Sequence, residues 1–203
     1  MTKRYRLFYF LFAPIIRLIY RIKVIGRENE PTCGRYLVLS NHISAADPVV
    51  ICASMRHQVC YMGKKELFKI PGLAFLLRTL GAFPVDRGGA DVGAVKNSIK
   101  LLKEGKWVGM FPQGTRHPGE DPRNTAVKTG ASMIANRSGA DILPVYIHRK
   151  DNKPKLFRKT VVIIGKPIPF SSYNYDNEAS GEYQRIANEI FDVICKLGEE
   201  YQK

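Results

Sequence analysis

The chain has 203 residues, 45% hydrophobic and 25% charged, with 17 glycines and 12 prolines. That balance fits one globular domain with terminal additions and excludes collagen-like and wholly disordered chains. Thirty-two lysines and arginines against 18 aspartates and glutamates leave +14 at pH 7, so the partners carry negative charge: nucleic acid, anionic lipid headgroups or a phosphorylated substrate.

Residues 1–24 begin with Lys3, Arg4 and Arg6 and continue into an apolar run, 7–16, that contains Pro14. The run is shorter than the ~20 residues that span a bilayer, and no small-residue cleavage site follows it. Leu7, Leu11, Ile15, Leu18 and Ile22 recur at helical steps, which predicts an amphipathic helix. Seven basic and no acidic residues through Arg27, interleaved with aromatics such as Tyr5, Phe8, Phe10 and Tyr20, suit a membrane interface. The alternative is a terminal helix packed on the protein's own core.

Beyond this helix, short apolar or β-branched runs at 36–40, 59–62, 82–86, 107–111, 142–147 and 160–164 read as buried strands. Helical patterns fill the gaps at 48–55, 73–80, 91–104 and 125–138, the last two ending before Gly105 and Gly139. The alternation predicts an α/β fold: one domain with a largely parallel or mixed central sheet flanked by helices, its site beyond the carboxyl ends of strands. The chain closes on a helix whose apolar stripe is Ile186, Ile190, Val193, Ile194 and Leu197. From residue 171 onward seven acids face three bases, so the basic character belongs to residues 1–170, with 29 bases and 11 acids.

Cys33, Cys52, Cys60 and Cys195 form neither a C-x-x-C pair nor a Cys/His cluster, and read as reduced thiols. Four histidines, none at paired ligand spacing, imply no metal. Of these, His57 and His148 read as structural or surface residues.

Three clusters carry chemistry. After the strand at 36–40 comes Ser40-Asn41-His42-Ile43-Ser44-Ala45-Ala46-Asp47-Pro48. Here a histidine base and an orienting carboxylate can meet in one turn. Asp47 before Pro48 is also a good helix cap, and one carboxylate oxygen could cap while the other faces the imidazole. Arg87 follows the strand at 82–86 in a turn containing Gly88 and Gly89, and Phe111-Pro112-Gln113-Gly114-Thr115-Arg116 puts a second arginine past the strand at 107–111. Each is suited to fork onto phosphate oxygens. His117, beside the third cluster, reads as a loop histidine.

Asn41-His42, four residues, then Asp47 is similar to the N-H-x4-D motif of the glycerolipid acyltransferase family. Gly81 through Arg87 resembles the family's G-x5-R block, Phe111 through Arg116 its F-P-E-G-T-R block, and Ile142-Leu143-Pro144-Val145 its apolar-proline block. The resemblance runs over about residues 24–165 and implies transfer of a fatty acyl group from acyl-CoA or acyl carrier protein to the hydroxyl of a phosphorylated glycerolipid such as lysophosphatidic acid. It implies residues 25–203 as the acyltransferase domain, working at the cytoplasmic face of a membrane as a peripheral or monotopic protein. His42 would be the general base and Asp47 its orienting partner; Asn41, Arg87, Gln113, Gly114, Thr115 and Arg116 would bind substrate. No cofactor and no nucleic acid is implied; the partners are membrane phospholipids and the thioester donor. One departure is Gln113 in place of the family's Glu, which removes a charge and adds two donors, with consequences for acceptor choice. The competing classes are a basic nucleic-acid-binding module, for which no RNP, KH or zinc-finger pattern is present, and a catalytically silent membrane-surface protein on the same fold.

Overall fold

The strands of the computed structural model, which describes residues 3–85 and 92–202, are β1 (Ile22–Ile25), β2 (Tyr36–Ser40), β3 (Val59–Lys64), β4 (Phe83–Val85), β5 (Trp107–Met110), β6 (Asp141–Arg149) and β7 (Thr160–Ile164). They form one sheet in the order β1-β7-β6-β2-β5-β3-β4. The five strands from β6 to β4 run parallel to one another, β7 pairs antiparallel with β6, and β1 pairs parallel with β7. The carboxyl ends of those five therefore share one edge of the sheet with the amino ends of β1 and β7.

Among the described residues six α-helices accompany the sheet: α1 (Lys3–Ile19), α2 (Asp47–Ser54), α3 (Pro71–Thr79), α4 (Val92–Lys103), α5 (Gly130–Ser138) and α6 (Glu182–Gln202). Because successive strand side chains point to opposite faces, both faces must be apolar when helices lie on each. Leu37, Leu39, Val108, Ile142 and Tyr146 pack with Leu102, Ile134 and Ile190 on the side of α4, α5 and α6. Val38, Leu143, Val145, Ile147 and Val162 pack with Val50 and Ile51 of α2 on the other. Gly109 of β5 sits under the Tyr61 ring of β3, where an added Cβ would lie 2.2 Å from the ring; only glycine lets the aromatic cross there.

Helix α1 is packed on the protein's own core along one side and open along the other. Tyr5 and Ala13 are buried, and Arg17 Nε donates to Ala53 O at 2.7 Å, fastening the helix to α2. The opposite stripe is open, with Leu7, Phe10, Leu11, Ile15 and Leu18 at least half exposed. The helix stops at Ile19 instead of running to residue 24, because Arg21 turns left-handed (φ 44) and delivers Ile22–Ile25 into the ladder with β7. Helix α5 likewise starts at Gly130 instead of residue 125: the preceding segment is held in a loop by Lys128 N–H donating to Pro112 O at 2.8 Å and by the Thr125 hydroxyl donating to Pro122 O at 2.6 Å.

Candidate active site

The site is built where β2 leaves the sheet. Asn41 continues the pairing with its side chain, its Nδ2 donating to Ile147 O at 3.0 Å and its Oδ1 accepting from Ile147 N–H at 2.8 Å. The amide thus replaces a backbone rung, and the chain is free to turn at His42. Asn41 is completely buried, and these two bonds fix the loop; the resemblance implies a substrate contact for the same side chain.

The His42 ring lies flat on Phe111, with centroids 3.9 Å apart. Its Nδ1 is 2.9 Å from Asp47 Oδ2. The same oxygen accepts the N–H groups of Ile43 and Ser44, each at 2.7 Å, and Oδ1 accepts from Arg149 Nη1 at 2.6 Å. Burial pushes the Asp47 carboxyl toward the neutral acid, but the hydrogen bond from His42, the charge and hydrogen bond of Arg149 and the Ser44 N–H outweigh it and hold the carboxyl below its ordinary range. An ionised Asp47 only accepts, so Nδ1 carries the proton and Nε2 keeps its lone pair. Among the described residues no group bonds Nε2, and His42 retains 9% exposure. The capping role read for Asp47 is not taken up: its carboxylate binds amides before the helix, and Ala46 occupies the cap position without a side-chain bond.

The third cluster locks this loop. Gln113 Oε1 accepts the His42 N–H at 2.7 Å, and His117 N–H donates to His42 O at 2.9 Å, so both backbone groups of the base are pinned. Gln113 Nε2 donates to Thr125 Oγ1 at 2.7 Å. With both ends engaged inside the protein and 3% exposure, Gln113 braces His42, whereas the resemblance implies contact with substrate. Gly114, Thr115 and Arg116 are exposed beside it. Gly114 takes φ +71 with Lys128 Cε 2.9 Å from where its Cβ would be. The cationic side chain of Lys128 thus stands over the loop. Arg116 makes no hydrogen bond or ion pair among the described residues. Arg87 lies outside the described residues.

Arg149 is a residue that motif reading does not reach. It is 3% exposed, pairs with Asp47, and its Nε donates to Thr160 Oγ1 at 3.3 Å. Its signal was present: an arginine closing a strand whose other members are nearly all apolar needs a buried acid. Among the described residues, no group of three or more His, Cys, Asp or Glu side chains could hold a metal ion.

Residues 21–148 match the family model described as Acyltransferase. The chain belongs to that family. This acyltransferase is 34% identical over 157 residues to the 1-acyl-sn-glycerol-3-phosphate acyltransferase of Bacillus subtilis (strain 168), covering 76% of this chain and 77% of the relative. It is 33% identical over 169 residues to the enzyme of that name from Streptococcus pneumoniae (strain ATCC BAA-255 / R6), covering 81% of this chain but 61% of the relative. In Borreliella burgdorferi (strain ATCC 35210 / DSM 4680 / CIP 102532 / B31) the corresponding figures are 32% identity, 65% of this chain and 53% of the relative. The acyltransferase fold also superposes on the crystal structure of the 1-acyl-sn-glycerophosphate (LPA) acyltransferase PlsC from Thermotoga maritima, with a TM-score of 0.72, 25% identity, and coverage of 100% of this chain and 85% of that one.

Proposed function

We propose that this acyltransferase moves a fatty acyl group from a thioester, acyl-CoA or acyl carrier protein, to the free hydroxyl of 1-acyl-sn-glycerol 3-phosphate, giving phosphatidic acid at the cytoplasmic face of a membrane. The observation that carries this reading is the His42–Asp47 pair, with Nε2 unengaged among the described residues, in a chain whose relatives bear the name of that reaction. His42 Nε2 removes the hydroxyl proton as the oxygen attacks the thioester carbonyl. Collapse of the tetrahedral adduct breaks the C–S bond, and the imidazolium returns the proton to the thiolate, so ester and thiol leave with nothing attached to the protein. Asp47 keeps the tautomer and offsets the transient positive charge, a positioning that Arg149 makes possible by holding the carboxylate ionised. General-base catalysis of this kind is worth ~10²- to 10⁴-fold.

The acceptor phosphate is assigned to Arg116, Arg87 and Lys128, with Gly114 and Thr115 beside them. Arg116 and Lys128 belong to segments next to His42, which brings a phosphorylated acceptor within reach of Nε2, and Arg87 joins them on the strength of the motif resemblance. No cofactor enters this scheme. Purified protein assayed with both thioester donors against a panel of lysolipids tests the reading: turnover should be greatest with 1-acyl-sn-glycerol 3-phosphate and vanish in a folded His42→Ala variant. Turnover that survives this substitution sinks the mechanism; preference for an unphosphorylated acceptor sinks the substrate.

A further inference from the structure

The segment joining β6 to β7, residues 150–159, takes no part in the proposed reaction. It holds five bases, Lys150, Lys153, Lys155, Arg158 and Lys159, against the single acid Asp151. Within it Leu156 and Phe157 are 59% and 66% exposed. A basic loop that only met water would have no use for two adjacent large apolar side chains, and such exposed groups rimmed by charge mark an interaction surface. The loop is braced at both sides. Phe157 is held left-handed at φ 58 while its N–H donates to Ile19 O at 2.8 Å. Asn152 Nδ2 donates to Glu120 O at 3.0 Å, and Gly119 N–H to Asn152 O at 2.8 Å, which ties the loop to the segment that follows Arg116.

We propose that this loop is a second membrane-inserting element, with Leu156 and Phe157 entering the headgroup boundary of an anionic bilayer and the flanking bases meeting lipid phosphates. The inference rests on the reading of the acceptor as a membrane lipid and adds to it the surface that presents the site. Two observations select a bilayer over an acidic protein. The Phe157 backbone is bonded to Ile19, next to Leu18, itself 75% exposed, so the loop is fastened at the end of α1 that carries its open stripe; bases alone would serve an acidic protein, whereas neighbouring exposed apolar side chains edged with bases suit a lipid surface. The loop also begins at Arg149, whose guanidinium holds Asp47, so it rises from the same edge of the sheet as His42.

The test uses the full chain carrying Phe157→Trp with phosphatidylglycerol vesicles whose acyl chains are brominated. Trp107, the native tryptophan, is 3% exposed, donates to Gly34 O at 3.0 Å near the opposite edge of the sheet, and serves as the unquenched reference. Emission from position 157 should shift to the blue and be quenched. A Leu156→Ser/Phe157→Ser variant should sediment with these vesicles about tenfold less, while its turnover on a short-chain, water-soluble acceptor stays unchanged. Sedimentation without quenching at 157 overturns the proposal and leaves α1 as the docking element. If the unaltered protein does not sediment at all, the membrane reading fails and the proposal with it. Normal vesicle binding by the double variant, with turnover lost only when acyl carrier protein is the donor, assigns the loop to that acidic carrier instead.

Discussion

At the scale of single residues, the proposed base His42 is held by groups buried inside the protein. Asp47 is held below its ordinary range, so its contribution to stability is complete above the usual carboxylate value of ~4 and is lost as pH falls through the lower folded value. Removing the guanidinium in Arg149→Met makes the His42–Asp47 unit bind a proton more readily, whichever atom receives it. The acid limb of kcat/KM against pH should therefore move to higher pH, and Arg149→Lys should bring most of it back. The Met variant should also lose about 3–5 kcal/mol of stability, because the carboxylate is left buried without its partner. An unmoved acid limb in folded Arg149→Met protein would show that the ion pair is merely structural. Gln113 gives a second test. Its oxygen holds the His42 N–H and its amide donates to Thr125, whose hydroxyl is committed to Pro122 O. In Gln113→Glu the Thr125 hydroxyl must swing from that carbonyl to the new carboxylate, at a cost of about 1–3 kcal/mol, while the acceptor preference stays as it was. A change of preferred lysolipid would mean that position 113 touches substrate after all.

At the scale of elements, hydrophobic runs made most of the fold legible. Strands β2 and β7 coincide with the expected 36–40 and 160–164 because every residue in them is apolar or β-branched apart from Ser40, and both faces of the sheet are covered. β1 escaped notice: four residues containing Lys23 give no alternation, and its place is set by pairing with β7, more than 130 positions away. The start of α5 was misread for a similar reason, since local propensity continues through residues 125–129 while tertiary bonds to Pro112 and Pro122 hold them out of the helix. That His42 and Asp47 could meet in one turn was legible in their spacing, and the structure brings them together. The buried pairing of Arg149 with Asp47 was not, because it depends on which strand end the fold brings beside the motif. Close packing between elements yields a prediction of its own. Gly109→Ala would drive a methyl group into the Tyr61 ring, and β5 and β3 cannot part without breaking their ladder. Thermal unfolding should reveal a loss of about 1–3 kcal/mol, the range for overpacking, and Tyr61→Leu in the same protein should recover part of it. A melting temperature unchanged by Gly109→Ala would show that the two strands yield more freely than the packing implies.

For the whole molecule, the proposed acceptor, a lysolipid held in a membrane, has to reach a site at one edge of the sheet. Among the described residues no helix is long and apolar enough to cross a bilayer, and the proposed reading places the contact along a surface. The exposed stripe of α1 offers that surface, but the same helix buries Tyr5 and anchors Arg17 on α2, and residues 22–25 are an edge strand. Cutting the chain through residue 23 would therefore expose core and strip the sheet, confusing misfolding with release from lipid. Replacing outward residues avoids this. Phe10→Ser, Leu11→Ser and Leu18→Ser together should change the unfolding free energy by no more than about 1.5 kcal/mol, since exposed substitutions usually stay within about 0.5 kcal/mol each. The same variant should lose most of its binding to anionic vesicles and much of its turnover on bilayer-embedded acceptor, with little change on a soluble one. The unaltered protein should bind less as salt rises, because the bases near lipid phosphates contribute about 1 kcal/mol each and are screened. Part of its binding should nevertheless persist at high salt, where apolar insertion remains. In the triple variant that persistent part should be gone, leaving only salt-sensitive attraction; a salt-resistant fraction equal to the parent's would mean that α1 lies against something other than the bilayer.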